Sequence, residues 1–271
     1  MRRTALATLV LSGVLVTAGL LFPTWAEELD TPQWVETRKA LFQDRPIQED
    51  ADAVVQLEVP LRPDDAAAVP VLIKIKSPQS RERVVKDLYV VIDRNPEPLA
   101  GVFHLGQVSG GVEIQSRLRV ETHSPMRAIA ETTDGKLYMT TKLVRAAGGC
   151  AAPPVMITAP PNLGQIQVRT QEKPTLNEPN WAQLIVIHPN HTGFQRHPLT
   201  MLPISAHYVT DVTVTYDNKA VLTAKTTIAM SEDPDFRFYF TPTGPGTLRV
   251  EVKDSRGQSW SKSMDVAVAA K

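Results

Sequence analysis

Short runs of Val, Ile and Leu, separated by Pro, Gly, Asn and Asp, dominate the chain from Ala53 onward. Apolar and polar residues alternate in many of them, which is typical of antiparallel strands. In the first half, strands are predicted near Val54–Val59, Val69–Lys76, Val84–Ile92, Gly101–Leu105, Val112–Val120, Met126–Glu131 and Leu137–Val144. In the second half, they are predicted near Gln165–Thr170, Trp181–His188, Val209–Tyr216, Lys219–Lys225, Phe236–Phe240, Thr247–Lys253 and Ser259–Val268.

Three turn sequences predict hairpins between neighbouring strands. They are Asp134-Gly135, Asp217-Asn218 and Ser255-Arg256-Gly257, all rich in residues that tolerate tight turns. Helical spacing of apolar residues occurs at the start, from Pro32 to Phe42, where Thr31 can cap the first turn. We therefore expect one short helix followed by antiparallel β structure.

The stretch Ala151–Pro161, rich in Pro and small residues, interrupts the strand pattern, and a second β series is expected from Val155 and Ile166. This predicts domains at 27–152 and 153–271. Many short strands with little helix favour an all-β fold of two immunoglobulin-like β-sandwich domains in tandem. A barrel in each half is the alternative.

The first 26 residues have the pattern of a secretory signal peptide. Arg2 and Arg3 precede an apolar run from Thr4 to Phe22, and Thr24-Trp25-Ala26 offers a cleavage site with small residues. An uncleaved anchor is the alternative, because the run is about long enough to span a bilayer. We expect cleavage, a mature chain from Glu27, and no stable membrane insertion afterwards.

The charge balance argues against nucleic acid as a partner. The chain has 29 Lys and Arg residues and 29 Asp and Glu residues. It also lacks a basic block and a Gly-rich phosphate loop that opens a helix. No cofactor is predicted from the sequence.

Cys150 is the only cysteine, so the chain cannot form an internal disulfide. It lies between Gly148-Gly149 and Ala151-Ala152, with no bulky neighbour, and we expect a mobile, exposed thiol. No Lys, Arg or His occurs within four positions, so the pKa is expected to stay near the free value of about 8.5. An unpaired thiol in an exported protein is at risk of oxidation unless it is used, which marks Cys150 as the candidate for chemistry.

Motifs in both halves resemble a known pair of proteins. The first half resembles SoxY, the sulfur-carrying subunit of the periplasmic thiosulfate-oxidising system, and the second half resembles its companion SoxZ. The SoxY-like residues are Val69-Pro70, Asn95-Pro96-Glu97-Pro98, Phe103, Arg117-Leu118-Arg119, Asp134-Gly135 and Gly148-Gly149-Cys150. The SoxZ-like residues are His188-Pro189, Thr192-Gly193, Asp233-Pro234, Phe238-Tyr239, Gly246-Thr247-Leu248 and Asp254-Ser255-Arg256-Gly257. Fused SoxYZ-like proteins associated with quinoprotein (PQQ-dependent) alcohol dehydrogenases are the most similar type.

The resemblance implies a periplasmic carrier protein and not an enzyme. Partner enzymes would attach a sulfur compound to Cys150, act on it there and release the product by hydrolysis. Implied partners are periplasmic redox or sulfur-transfer enzymes, including a c-type cytochrome or a quinoprotein dehydrogenase, and the two domains would contact each other.

One difference from SoxY concerns the carrier arm, made here of Gly148, Gly149, Cys150, Ala151 and Ala152. In SoxY the cysteine run ends the chain and swings freely, whereas here the chain continues into Pro153-Pro154. A loop free from 146 to 153 would let its apex reach roughly 14 Å, given about 3.3–3.6 Å per residue. Two other functions stay open: a noncovalent adaptor for a periplasmic quinoprotein dehydrogenase, and a Cys-His enzyme in which His104, His123 or a second-half histidine approaches Cys150.

Several other polar groups are interpreted as structural. His188, His191, His197 and His207 are expected in solvated loops and not in a metal site, since no acidic residue or second cysteine accompanies them there. The segments 93–97 and 231–235 look like turns. Arg117 and Arg119, two positions apart on one strand, are expected on a salt-bridged face.

Overall fold

The computed structural model describes residues 29–76, 84–111 and 113–268. The predicted signal peptide therefore lies outside the described residues, as does Val112, the predicted start of one strand. In the described part of the chain, no helix is long and apolar enough to cross a membrane.

The predicted helix is present as α1, Pro32–Phe42. The Thr31 hydroxyl caps it by accepting a hydrogen bond from the backbone N–H of Trp34 at 3.1 Å, and Pro32 occupies the first turn, where its missing N–H has no cost. Trp34 and Phe42 are buried against Val91, Ile129 and other residues of the sheet. The helix thus covers one outer sheet face, which explains why every residue of the strand Ser124–Thr132 is buried.

A strand was found in each of the fourteen predicted ranges. In the first half they are β1 (Ile47–Gln48), β2 (Val55–Glu58), β3 (Val69–Ile75), β4 (Val85–Ile92), β5 (Leu99–Leu105), β6 (Glu113–Leu118), β7 (Ser124–Thr132) and β8 (Leu137–Val144). In the second half they are β9 (Ile166–Thr170), β10 (Asn180–Val186), β11 (Val209–Tyr216), β12 (Lys219–Thr226), β13 (Asp235–Phe240), β14 (Gly246–Asp254) and β15 (Ser259–Val266). Only the short β1 was not predicted. No strand begins at Val155, so that expectation was wrong.

The three predicted hairpins are confirmed by the antiparallel pairs β7–β8, β11–β12 and β14–β15. Asp217 and Asn218 both have positive φ, at 47° and 63°, as a tight hairpin turn with matching twist requires. The turn chemistry in the sequence was therefore sufficient to locate these connections.

The strands form two sheets that both run through the two halves of the chain. One sheet has the order β1-β8-β7-β4-β5-β12-β11-β14-β15, and the other has the order β2-β3-β6-β13-β10-β9. Each half is thus a two-sheet sandwich, as predicted. The halves join side by side, with β5 pairing β12 in one sheet and β6 pairing β13 in the other.

A single apolar core extends between the sheets and across this junction. Phe103 of the first half meets Phe236 of the second half, with ring centroids 6.2 Å apart in an edge-on arrangement. The predicted contact between the domains is therefore a shared core with paired strands.

Candidate functional site

Cys150 lies in a tight turn where the chain passes from the first half to the second. We call residues 148–152 the cysteine turn. Gly148 has a φ of 78°, which favours glycine, and a Cβ built on Gly149 would overlap the carbonyl oxygens of Ala66 and Val120. The glycines therefore permit a left-handed backbone and close packing, and only 1% of the surface of Cys150 is exposed.

The first half holds the cysteine turn mainly through Glu121. Its carboxylate oxygen Oε2 accepts hydrogen bonds from the backbone N–H of Cys150 at 2.8 Å and of Ala151 at 3.2 Å. The N–H of Gly148 donates to the carbonyl of Glu121, and that of Gly149 donates to the carbonyl of Val120. The two bonds to the Glu121 carboxylate are charge-assisted and therefore stronger than the neutral backbone bonds, so Glu121 is the principal anchor on this side.

The second half holds the cysteine turn by donating hydrogen bonds to the carbonyl groups of the turn. The Thr192 hydroxyl donates to the Cys150 carbonyl at 2.6 Å, and the Gln195 amide donates to the Ala152 carbonyl at 3.0 Å. Just beyond the turn, Nε2 of His191 bonds the Met156 carbonyl at 2.7 Å. Because both halves contribute, the cysteine turn depends on their junction.

Arg119 lies beneath the turn and is only 2% exposed. Its guanidinium group donates to the carbonyls of Gly149 at 3.2 Å, Met230 at 3.3 Å and Asn190 at 3.5 Å. Asn95 joins this network, since its side chain donates to the Arg119 carbonyl and accepts from the Glu121 N–H. Arg119 thus ties the backbone of the cysteine turn to both halves.

The expected mobile, exposed arm is wrong for this structure. Gly148 and Ala151 are exposed, Ala152 is half-buried, and Gly149 and Cys150 are buried, so the turn reaches the surface but its thiol is enclosed. Hydrogen bonds to Gly148, Gly149, Cys150, Ala151 and Ala152 also contradict a loop free from 146 to 153. The small neighbours of Cys150 serve close packing instead of mobility.

The surroundings raise the pKa of the Cys150 thiol to about 12, instead of leaving it near the free value. Burial is the largest cause, the Glu121 carboxylate adds to it, and Arg119 opposes it. At neutral pH the thiolate, which is the nucleophilic form, is therefore scarce. We call this arrangement, in which the thiol is buried and protonated, the closed state.

Arg117, near the end of β6, and Arg119, just after it, do not form the predicted salt-bridged face. Arg117 donates to the Asp233 carbonyl at 3.2 Å, and among the described residues no ion pair to either Arg117 or Arg119 occurs. Both line a cavity of about 310 Å³ beside the cysteine turn. Carboxylates of Asp65, Glu232 and Asp233 line it too, so its mixed charge does not select an anion.

The histidine prediction was wrong for three of the four residues. His188, His191 and His207 are buried, and His207 bonds the Asp254 carboxylate at 2.7 Å, with Nε2 of His188 lying 3.7 Å from the same oxygen. Burial, aided by His207, lowers the pKa of His188 to about 4.

These three side chains, His188, His207 and Asp254, are close enough together to be considered as metal ligands. However, Nδ1 of His188 accepts a hydrogen bond from the Asn190 N–H at 3.1 Å, so the neutral ring carries its proton on Nε2, the atom that faces the cluster. A metal-bound imidazole needs a lone pair on that atom. The cluster therefore fits a buried His207–Asp254 pair packed against His188 better than a metal site. Among the described residues, Nε2 of His188 has no hydrogen-bond partner.

The histidines proposed as partners of Cys150 have other contacts. His104 bonds Asp87 at 2.6 Å, and His123 bonds the Ala146 carbonyl at 2.9 Å. The charged groups that shift the pKa of Cys150 are Glu121, Arg119 and Glu97, with no histidine among them.

The segments 93–97 and 231–235 contain turns, but Asn95 and Glu232 also support the site, the latter by accepting from Val155 and Met156.

This geometry defines a protein of two joined β-sandwiches whose single cysteine lies at the junction. Residues 38–150 match the family of the sulfur oxidation protein SoxY, and residues 168–265 match the family of the sulphur oxidation protein SoxZ. The chain therefore belongs to the SoxYZ family, with a SoxY domain followed by a SoxZ domain in one polypeptide. It is accordingly a sulfur-oxidation carrier protein and not an enzyme.

Solved structures resemble parts of the chain. The sulfur carrier protein SoxY from Chlorobium limicola f thiosulfatophilum is 20% identical over 42% of this chain and 94% of its own, with a TM-score of 0.33. A superoxide reductase (neelaredoxin) from Ignicoccus hospitalis is 14% identical over 45% of this chain and 98% of its own, with a TM-score of 0.29. At such low TM-scores these similarities are not evidence for function. No curated protein matches the chain.

Proposed function

We propose that this protein carries a sulfur compound covalently on Cys150 in the periplasm and presents it to partner enzymes. The observation that carries the proposal is that the SoxY match ends at residue 150, the position of the only cysteine. The placement of this residue at the junction of the SoxY and SoxZ domains supports the same role, because both domains hold the turn that contains it.

Loading with thiosulfate illustrates the chemistry that the carrier role requires. The Cys150 sulfur forms an S–S bond with the sulfane sulfur of thiosulfate, the thiol loses its proton, and two electrons pass to an oxidising partner. A c-type cytochrome is a suitable class of acceptor. Hydrolysis of the bond between the sulfane sulfur and the terminal sulfonate group then releases sulfate and leaves a sulfur atom on the cysteine.

The closed state gives the partner enzymes a further task. With a pKa of about 12 and almost no exposure, the thiol cannot react at a useful rate while the turn is held as described. Loading therefore requires release of the hydrogen bonds that the turn donates to Glu121 and accepts from Thr192 and Gln195. Burial also protects an unpaired thiol from oxidation between loading events.

Export to the periplasm is the second part of the proposal, and the signal-peptide pattern of residues 1–26 supports it. We expect the chain isolated from the periplasmic fraction to begin near Glu27. N-terminal sequencing after cell fractionation tests this, and a cytoplasmic chain that retains Met1 would contradict it.

Intact-protein mass spectrometry tests the carrier role. Chain isolated from cells growing on thiosulfate is expected to carry an added mass of sulfur or thiosulfonate size. Reductant should remove this mass, and Cys150→Ser should lack it. An unmodified mass under every growth condition, with normal function of Cys150→Ser, would overturn the proposal and favour a noncovalent adaptor.

A further inference from the structure

Exposed apolar side chains are concentrated next to the cysteine turn. Seven large hydrophobic residues of the described chain are exposed, and five of them lie in two adjacent segments. These are Val155, Phe194, Leu199, Met201 and Leu202, with exposed fractions from 54% to 88%. Contiguous exposed apolar residues on a soluble domain are typical of interaction sites.

Four of these residues belong to one segment, Gly193–Ile204, which we call the apolar loop. It is held in a defined shape by its own backbone bonds, from His197 N–H to the Leu202 carbonyl at 2.9 Å and from Ile204 N–H to the Gln195 carbonyl at 3.0 Å. Arg196 further braces the loop by donating to the Met201 carbonyl at 3.0 Å. A loop that is already ordered loses little entropy when it binds.

The base of the apolar loop is also the clamp on the cysteine turn. Gln195, inside the loop, bonds the Ala152 carbonyl, and Thr192, one residue before it, bonds the Cys150 carbonyl. The Thr192 hydroxyl also accepts from the Phe194 N–H at 3.1 Å. Movement of the loop would therefore disturb the hydrogen bonds to the carbonyl groups of Cys150 and Ala152.

From Gly193 to Ile204 the chain has no carboxylate and no lysine, and Arg196 is its one fixed charge. Such a surface is complementary to an apolar recess bordered by acidic residues, and this charge pattern disfavours a basic surface. Because Gln195 of the loop is hydrogen-bonded to Ala152, a partner bound to the loop lies next to the cysteine turn.

We propose that the apolar loop is the docking element for the enzyme that loads Cys150, and that docking releases the cysteine turn. The partner is a protein with an apolar recess and an acidic border near its active-site entrance. This inference rests on the proposed carrier function and adds to it the surface and the means by which the stored thiol becomes accessible.

The test uses the double variant Leu199→Ser/Met201→Ser and the matched control Val35→Ser/Leu61→Ser, which removes two exposed apolar side chains far from the turn in sequence. Each reduced full-length chain is incubated with thiosulfate and the periplasmic fraction of the host, and the adduct is followed by intact mass. We expect loading of the loop variant to be slower by at least about tenfold, as for truncation of central interface residues. The control should match the natural chain.

Alkylation by iodoacetamide without the periplasmic fraction distinguishes docking from misfolding. The loop variant should react as slowly as the natural chain, because the clamp residues Thr192 and Gln195 are unchanged. Faster alkylation of the loop variant would show that the substitutions open the turn by themselves and would overturn the proposal.

Other outcomes distinguish failure of the carrier function from failure of the docking role alone. A natural chain that acquires no adduct overturns the carrier function and the docking role with it. A natural chain and a loop variant that load at equal rates overturn docking alone. Sedimentation of the natural chain and the loop variant tests whether the loop instead binds a second copy of this chain. A dimer that the loop substitutions convert to a monomer would show this and would overturn docking of the loading enzyme.

Discussion

The residues around Cys150 show which properties of this cysteine the sequence predicts and which it does not. The lone cysteine and its small neighbours were sufficient to locate the turn. Its burial was not predictable, because Glu121 and Thr192 are distant in sequence and neither belongs to a recognisable motif with Cys150. Position 149 needs a glycine because two carbonyl groups approach it closely. A single sequence does not distinguish this packing requirement from a requirement for backbone flexibility.

The raised pKa of Cys150 leads to a prediction about its reactivity. Because the folded protein favours the protonated thiol, alkylation at pH about 8 should be slower than in denaturant by on the order of a thousandfold. The rate should rise about tenfold per pH unit and pass pH 8.5 without levelling off, since the folded thiol stays protonated up to about pH 12. Iodoacetamide labelling followed by mass spectrometry measures both quantities.

Glu121→Gln tests the contribution of the Glu121 carboxylate, which follows burial as a cause of the raised pKa. It removes the negative charge beside the thiol and weakens an anchor of the cysteine turn, so the pKa should fall and alkylation should accelerate. Glu36→Gln, on the exposed side of α1, is the control and should leave the rate unchanged. A plateau near the free pKa of about 8.5 in the natural chain would show that the thiol is not held in the closed state.

At the scale of elements, local patterns predicted nearly all of the strands and three hairpins. Turn residues and alternation are local signals, so β7–β8, β11–β12 and β14–β15 could be read directly. The two-residue β1 carries no such pattern, and it pairs with β8 in parallel. Pairing of β5 with β12 joins residues more than a hundred positions apart, such as Leu105 and Leu222, and no periodicity encodes it.

Gly106 allows the strand junction to be tested. Its N–H donates to the Val221 carbonyl at 2.9 Å, and a Cβ at this position would overlap the backbone of Ala220. Gly106→Ala should therefore lower the free energy of unfolding by about 1–3 kcal/mol, as overpacking does. Gly244→Ala, where a Cβ would meet open space, should change it by less than about 0.5 kcal/mol. Equal effects of the two substitutions in urea unfolding would contradict the described junction.

At the scale of the whole molecule, the two halves are joined more closely than their separate family matches suggest. Both sheets and the apolar core cross the junction, and Arg119 of the first half bonds carbonyl groups of the second. The cysteine turn also needs both halves. The fold therefore links the stability of the junction to the closed state of the thiol.

This continuity predicts that the two halves unfold together. Trp34 reports on the first half and Trp260 on the second. In variants that lack Trp181 and retain either Trp34 or Trp260, the fluorescence midpoint in urea should coincide with the far-UV circular dichroism midpoint of the same variant. Because the core is shared, Gly106→Ala should lower both midpoints by the same amount, and Cys150 should become reactive over the same range of urea. If Trp34 and Trp260 reported separate transitions, the halves would be independent domains, and the closed thiol would depend on a weaker contact than the paired strands provide.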